Sequence, residues 1–360
     1  MSNYTFNNNC NIVLALACVV YIAGTTAQAQ QEQSNQTELQ WFKGNTHTHS
    51  NNQGGDSTPG ELAQWYREHD YDFLVISDHN YLAQTDTLQQ EIDRLVEREE
   101  KKPFLLIPGE EVTNSITIEE RSHAIHINGI DTNRTIGKLE DDSVHRLIQK
   151  TINAIHDAGG FPHVNHPNFV WSITADDLYS VKRLRHFEIY NGHPKVNVNG
   201  GGKIPSLEEF WDDLLSRGRI YYGVATDDAH DFKEWGRHLS NPGRGWIVVR
   251  ASELSRKALV RAMRAGDFYA TTGVVLDDVS STGVTLRLKI NQVRATDNNF
   301  ELYRTEFKGR GGQVLKTDVS LEPSYQLKPE DLYVRAKVTS SNGSHAWTQP
   351  LFAPGQGRIE

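Results

Sequence analysis

Six short segments of this chain close an apolar run with histidine, aspartate or glutamate: His47-Thr48-His49, Asp78-His79, Glu111, His126, His166 and Asp228-Ala229-His230. Imidazole and carboxylate donors with no thiolate among them are the ligand set of Zn, Mn or Fe hydrolase centres. In His47-Thr48-His49 the rings lie two residues apart, so at an extended strand end both point to one side and can grip one ion. Glu111 follows Pro108-Gly109-Glu110, and a carboxylate there can bridge two cations through its two oxygens. Each segment also has a plainer explanation. Asp78 reads equally as a helix cap, His126 as a core histidine, and Glu110, His163 and Asp227 compete with the ligands beside them. All six plain explanations would have to hold at once, at or near strand ends of one region, and that conjunction favours a metal site.

The elements that must position these residues follow from patterning. From Trp41 to Gly273, apolar strand-like runs alternate with amphipathic helical stretches, which predicts βα units and a mainly parallel sheet. Strands are expected at 73–76, 104–107, 124–127, 187–190 and 220–224. Helical periodicity is clearest over 142–157, where Val144, Leu147, Ile148, Ile152 and Ile155 share a face; 207–215 and 255–264 read similarly. The ligand-type residues mostly follow the apolar runs, which puts them at strand carboxyl ends, where βα folds assemble active sites. After Gly273 the period becomes two, as in Val284-Thr285-Leu286-Arg287-Leu288-Lys289-Ile290, with turns at Gly309-Arg310-Gly311-Gly312 and Asn342-Gly343. Residues 274–354 therefore read as a small antiparallel β domain behind a catalytic domain at 41–273.

The 360 residues carry a formal net charge of -9 and no long basic run, which argues against nucleic acid or an acidic membrane as partner. A small anionic substrate stays open, because metal ions set their own local field. Ile12 to Ala23 is apolar, short for a membrane span, and is followed by Ala27-Gln28-Ala29, which fits a signal-peptidase site. The segment before it lacks Lys and Arg. The expectation is a signal peptide over 1–29 and a flexible Gln-rich leader over 30–40, with a secreted or periplasmic product that keeps no stable membrane insertion. Both cysteines, Cys10 and Cys18, fall in that segment, so neither disulfides nor thiolate ligands enter the mature chain.

The order HxH, DH, G-x-E, strand His, HP and D-x-H resembles the PHP (polymerase and histidinol phosphatase) metallohydrolase family. The likeness is greatest to its exported branch that includes carbaryl hydrolases. It extends to Ser77-Asp78-His79-Asn80, Phe161-Pro162-His163-Val164-Asn165-His166-Pro167-Asn168, Phe187-Glu188-Ile189-Tyr190-Asn191-Gly192-His193-Pro194 and Gly223-Val224-Ala225-Thr226-Asp227-Asp228-Ala229-His230, and runs from about Trp41 to Phe352. The resemblance implies an α/β fold, a distorted seven-stranded (β/α)7 barrel, with two or three divalent metal ions. Carried over, His47, His49, Glu111 and Asp228 hold a first ion, and Glu111, His126 and His166 a second. A third uses His79 and His230 with an Asp of an S-D-G segment. Here that segment reads Gln53-Gly54-Gly55-Asp56, with Gly54 where the Asp is expected, so either Asp56 substitutes or the site is binuclear.

The chemistry expected is ester hydrolysis by hydroxide held between the first two ions. His163, His193 and Asn191 are candidates to orient ligands, contact substrate or protonate a leaving group. A phosphoesterase acting on phosphate mono- or diesters comes first. The alternatives are a carboxyl or carbamate ester hydrolase with the same centre and a non-catalytic metal-stabilised module. The partner expected is a small-molecule ester.

Overall fold

The computed structural model describes residues 1–2, 38–99, 102–296 and 299–357. The expected signal peptide, apart from Met1 and Ser2, and residues 30–37 of the leader lie outside the described residues. The chain divides into Met1–Gln40 and a compact unit, Trp41–Glu360.

Nine strands carry the N-terminal two-thirds: β1 (Gln40–Asn45), β2 (Phe73–Ile76), β3 (Leu105–Ile118), β4 (Arg121–Ile130), β5 (Phe161–Val164), β6 (His186–Asn191), β7 (Tyr222–Thr226), β8 (Trp246–Ala251) and β9 (Phe268–Thr271). Between them run α1 (Pro59–Glu68), α2 (Thr85–Glu99), α3 (Val144–Asp157), α4 (Ala175–Tyr179), α5 (Leu207–Ser216) and α6 (Arg256–Ala265). Local chemistry sets several ends. Thr58 with Glu61 and Ser206 with Glu209 form capping boxes that satisfy free helix N–H groups of α1 and α5. Gly266 stops α6 at φ 82°, where a Cβ would lie 2.5 Å from the Tyr222 ring. In α3 the five residues expected on one face, Val144, Leu147, Ile148, Ile152 and Ile155, are all buried.

The sheet departs from a mainly parallel one. β1–β2, β2–β3, β5–β6 and β6–β7 are parallel, but β3, β4 and β5 pair antiparallel. β3 is far longer than the expected 104–107, because Pro108 and Gly109 look like a break yet lie within a continuous strand. Gly109 is needed there: a Cβ would meet Val75 Cγ1 at 2.4 Å. Glu111 and His126 consequently sit inside a long hairpin and not at strand ends, in the ladder where Glu111 faces Asn128 and Thr113 faces His126.

The hydrogen bonding also departs from a closed seven-stranded barrel. β1 has β2 on one side and β8 on the other, and the order continues through β9 into the C-terminal strands, giving one 14-stranded sheet. The seventh strand still reaches the first, through a single parallel bridge between Thr48 and Ala229 just past the ends of β1 and β7. That bridge sets His47 and His49 beside Asp228 and His230. The residues after Gly273 are antiparallel strands, as expected. Leu276–Thr282, Thr285–Ile290 and Ser324–Gln326 form a separate small sheet, while His345–Thr348 pairs with β9. No helix among the described residues is long and apolar enough to cross a membrane.

His186, at the start of β6, is buried and donates from Nε2 to the Met263 carbonyl at 2.9 Å. Burial lowers its pKa to about 3 from 6.5, against the opposing pull of that carbonyl. It is therefore neutral in the fold but protonated in the unfolded chain below pH 6.5, so its contribution is complete above 6.5 and is lost as pH falls towards 3. Between pH 7 and pH 5 the unfolding free energy should drop by about 2 kcal/mol through this group. Urea midpoints of wild type and His186→Phe at the two pH values measure this: the variant should lose that part of the drop, and equal drops would disprove it.

Candidate metal centre

The structure brings eight of the expected ligands into one nest. Glu111 is fully buried at its middle, with Oε1 3.2 Å from His126 Nδ1, 3.4 Å from His166 Nε2 and 3.4 Å from His47 Nε2. Its Oε2 lies 2.5 Å from His79 Nδ1 and 3.6 Å from His49 Nε2. Asp228 closes the opposite side, with Oδ1 3.2 Å from both His47 Nε2 and His49 Nε2, and 3.6 Å from His230 Nδ1. His47 Nε2 and His49 Nε2 are themselves 3.1 Å apart. The HxH segment thus aims two nitrogens at one point, as its spacing predicts.

Four groups have donor atoms within 4.8 Å of one another: His47, His49 and Glu111; His47, His166 and Asp228; Glu111, His126 and His166; and His49, His79 and His230. These clusters fit a metal site. The buried His49 Nδ1 has no hydrogen-bond partner, a costly state for a polar atom that a cation would relieve. Charge fits as well. Burial alone would raise the Glu111 pKa, yet His126, His79 and His47 hold it well below the usual carboxylate range. Burial would likewise raise Asp228, and His47 and His49 hold it down. His47 shows the converse, raised well above 6.5 because Asp228, Glu188 and Glu111 outweigh its burial. Two of the expected ligands also sit on strained backbone, His166 at φ 26° and Asp228 at φ 49°, conformations that cost on the order of 1–3 kcal/mol each for residues other than glycine.

Asp56 is the exception among the expected ligands. Its carboxylate accepts from Phe232 N at 3.0 Å, Lys233 N at 3.1 Å and Ser57 Oγ at 2.9 Å, and it belongs to none of the four groups. Those bonds pin the 231–233 loop to the carboxylate, while Asp56 N donates to the His230 carbonyl at 2.9 Å. Gly54 is instead the residue that abuts His79 and His49: a Cβ built there would lie 3.0 Å from His79 Cδ2 and 3.3 Å from His49 Nδ1. The position where an aspartate was expected does face the third group, and it holds a glycine at φ 115°. His49, His79 and His230 are left as three histidines with no carboxylate of their own.

The competing acids have other work. Asp227 accepts from Arg244 N, Gly245 N and the Tyr66 hydroxyl, Glu110 from Ile136 N and Gly137 N, and Asp78 from Ser50 N and Oγ. Of the candidate catalytic residues, Asn191 donates to Glu188 Oε2 at 2.8 Å and to Asp228 Oδ2 at 3.1 Å, so it orients acids. His163 is buried with Nε2 unpartnered, 3.6 Å from Glu188 Oε1, and burial lowers its pKa to about 4. His193 is half-buried, its ring 5.5 Å from that of His230.

Glu188 is the residue that sequence reasoning missed. It is fully buried, and its four contacts organise the nest from behind: His47 Nδ1 at 2.7 Å, His166 N at 2.7 Å, Asn191 Nδ2 at 2.8 Å and Thr226 Oγ1 at 2.7 Å. Burial opposes its ionisation, but His47 and His163 bring its pKa down to about 2. The signal was present, a lone glutamate inside the apolar strand Phe187-Glu188-Ile189-Tyr190. Asn165 has a similar role, donating to Glu111 Oε1 at 2.7 Å and to Asn128 Oδ1 at 2.9 Å.

No family model matches the chain, and no curated protein matches it. Among solved structures it is similar to a two-domain protein from Bacteroides vulgatus containing a predicted PHP-like metal-dependent phosphoesterase, at 16% identity and TM-score 0.48, covering 89% of this chain and 94% of that one. A protein from Bifidobacterium adolescentis described as a metal-dependent phosphoesterase aligns at 14% identity and TM-score 0.37, over 55% of this chain and 89% of the other. An amidohydrolase from Chromobacterium violaceum aligns at 14% identity and TM-score 0.34, over 55% and 93%.

Proposed function

We propose that this chain is an exported, divalent-metal-dependent hydrolase of phosphate mono- or diesters, with a PHP-like centre. The observation that carries the reading is the buried nest in which Glu111 and Asp228 face His47, His49, His126 and His166 at 3.2–3.9 Å. Bound divalent ions supply Lewis acidity and the positive charge that draws a phosphoryl group and stabilises charge building on it. His47, His49, Glu111 and Asp228 would hold one, and Glu111, His126 and His166 another. With Gly54 at the third group, we propose two tightly held ions. The apolar N-terminal segment supports export.

The protein's own residues fix the geometry of the reaction. Glu188 and Asn191 lock His47 and Asp228, and Asn165 locks Glu111, so no ligand has to reorganise as charge moves. In hydrolysis the phosphorus–oxygen bond to the leaving group breaks, one to a water oxygen forms, and the leaving oxygen takes a proton. His193, half-buried with Nδ1 accepting from Lys195 N at 3.1 Å, is the side chain we assign to give it from Nε2; burial lowers its pKa below 6.5, so this proton transfer is favoured at acid pH. A cavity of about 1020 Å³ opens beside Asn191 and His193, with Lys308, Lys337 and Trp347 of the C-terminal strands in its walls. It is large enough for the organic part of an ester.

The aromatic pair Tyr190 and Trp347 in that wall, rings 6.1 Å apart and stacked, favours a second reading, an aryl carboxyl or carbamate ester hydrolysed at the same centre. Metal analysis of the purified protein together with turnover of p-nitrophenyl phosphate, bis-p-nitrophenyl phosphate, p-nitrophenyl acetate and a naphthyl carbamate, with Mn or Zn and with chelator, tests both. The first reading expects two ions per chain and chelator-sensitive phosphoester cleavage. Cleavage of the acetate or carbamate alone selects the second. A folded, metal-loaded protein inert to all four would overturn the enzyme reading in favour of a non-catalytic module, and a third tight ion lost in Asp56→Asn would restore Asp56 as a ligand.

A further inference from the structure

The opposite ends of β5 and β6 frame a second cavity, about 420 Å³. Phe161 and Pro162 open β5 and form its apolar wall, and His186 opens β6. The length of β6, five steps or roughly 16 Å at about 3.3 Å each, separates His186 from Asn191, and β5 likewise separates Phe161 from the His166 end. The cavity is therefore distinct from the metal centre.

Its polar lining is cationic. Arg183, Arg185 and Arg264 converge on it with His156, and no carboxylate lines it. Among the described residues none of the three arginines is ion-paired with an acid, in a protein whose net charge is -9. Asp131, the acid whose charge acts on Arg264, is bound to Arg256. Arg264 is held in place, donating from Nη2 to the Gly159 carbonyl at 2.9 Å with its guanidinium 5.1 Å from the Phe161 ring centre. A neighbouring hollow of about 520 Å³ shares Arg264 and adds Arg256, Lys257 and Arg261 from the same helix, with Asp131 as its one carboxylate. Repulsion among like charges is unfavourable unless an anion is shared between them, and guanidinium groups match the paired oxygens of phosphate.

We propose that this cavity is an anion-binding site for a phosphorylated small molecule, its phosphate held by Arg183, Arg185 and Arg264 and its organic part against Phe161 and Pro162. The site works independently of the metal centre. Inorganic phosphate and phenylphosphonate, which has no hydrolysable ester, serve as probes in calorimetric titrations of the metal-loaded full chain. Wild type should show two binding events, one lost in Asp228→Ala and the other weakened about tenfold or more in Arg264→Gln. Tighter binding of phenylphosphonate than of phosphate at the arginine site would assign the ligand as an organic phosphate, and equal binding would assign it as free phosphate. Arg183→Gln, at an exposed position, repeats the test without disturbing the core, and both arginine variants should keep wild-type turnover. Unchanged titrations in both arginine variants, or a single event that vanishes in Asp228→Ala, would overturn the proposal.

Discussion

Glu111→Gln should reduce turnover by at least a thousandfold and lower the bound metal below one ion per chain, with the circular dichroism spectrum unchanged. The expectation follows from position. Glu111 is the one side chain that meets both expected ion positions, with five histidines within 3.6 Å of its two oxygens. The amide keeps its volume but removes the charge and offers one of its two positions as a donor, which repels a cation. Loss of a group on which two ions depend removes their joint contribution to catalysis, which exceeds any one residue's share. Turnover within tenfold of wild type, with two ions retained, would show that the bridge is not at Glu111.

Glu188→Gln comes second and acts indirectly. Glu188 touches no expected ion position; it holds His47 through Nδ1 and the His166 backbone through N, and so sets ring direction and tautomer. Metal affinity should fall about 10- to 100-fold, measured by chelator competition, with excess metal restoring most activity. A merely structural glutamate would not be rescued by metal. A pH signature accompanies it. The folded pKa, about 2, lies below the usual 4.5, so in metal-free protein the stabilisation is complete above pH 4.5 and lost as pH falls towards 2. The variant should be flatter across that window, and identical acid limbs would refute the assignment.

Which residues meet in the nest was legible in the sequence, because donor chemistry is a property of residue type and HxH spacing is local. His47, His49, His79, Glu111, His126, His166, Asp228 and His230 all reach the nest. Five strands and the helices at 144–157, 207–216 and 256–265 were legible for a similar reason, since apolar period follows from which face is buried. The β3–β4 hairpin was hidden by Pro108 and Gly109, which mimic a break, and by Glu119 and Glu120, which form its turn at positive φ without the usual glycine or asparagine. Whether Asp56 substitutes at the third group or the site is binuclear stayed open in the sequence, and only the loop path shows that its carboxylate accepts from Phe232 N and Lys233 N.

By itself, then, the sequence determined the donor set, its grouping on apolar strands and the change of period after Gly273, all of which depend on residue type and short spacing. Tertiary structure alone decided that the Thr48–Ala229 bridge sets Asp228 and His230 beside His47 and His49, that Glu188 braces His47 from behind, that Gly54 faces the third group, and that Arg183, Arg185 and Arg264 share one cavity. These depend on contacts between residues up to 181 positions apart, which no local period encodes.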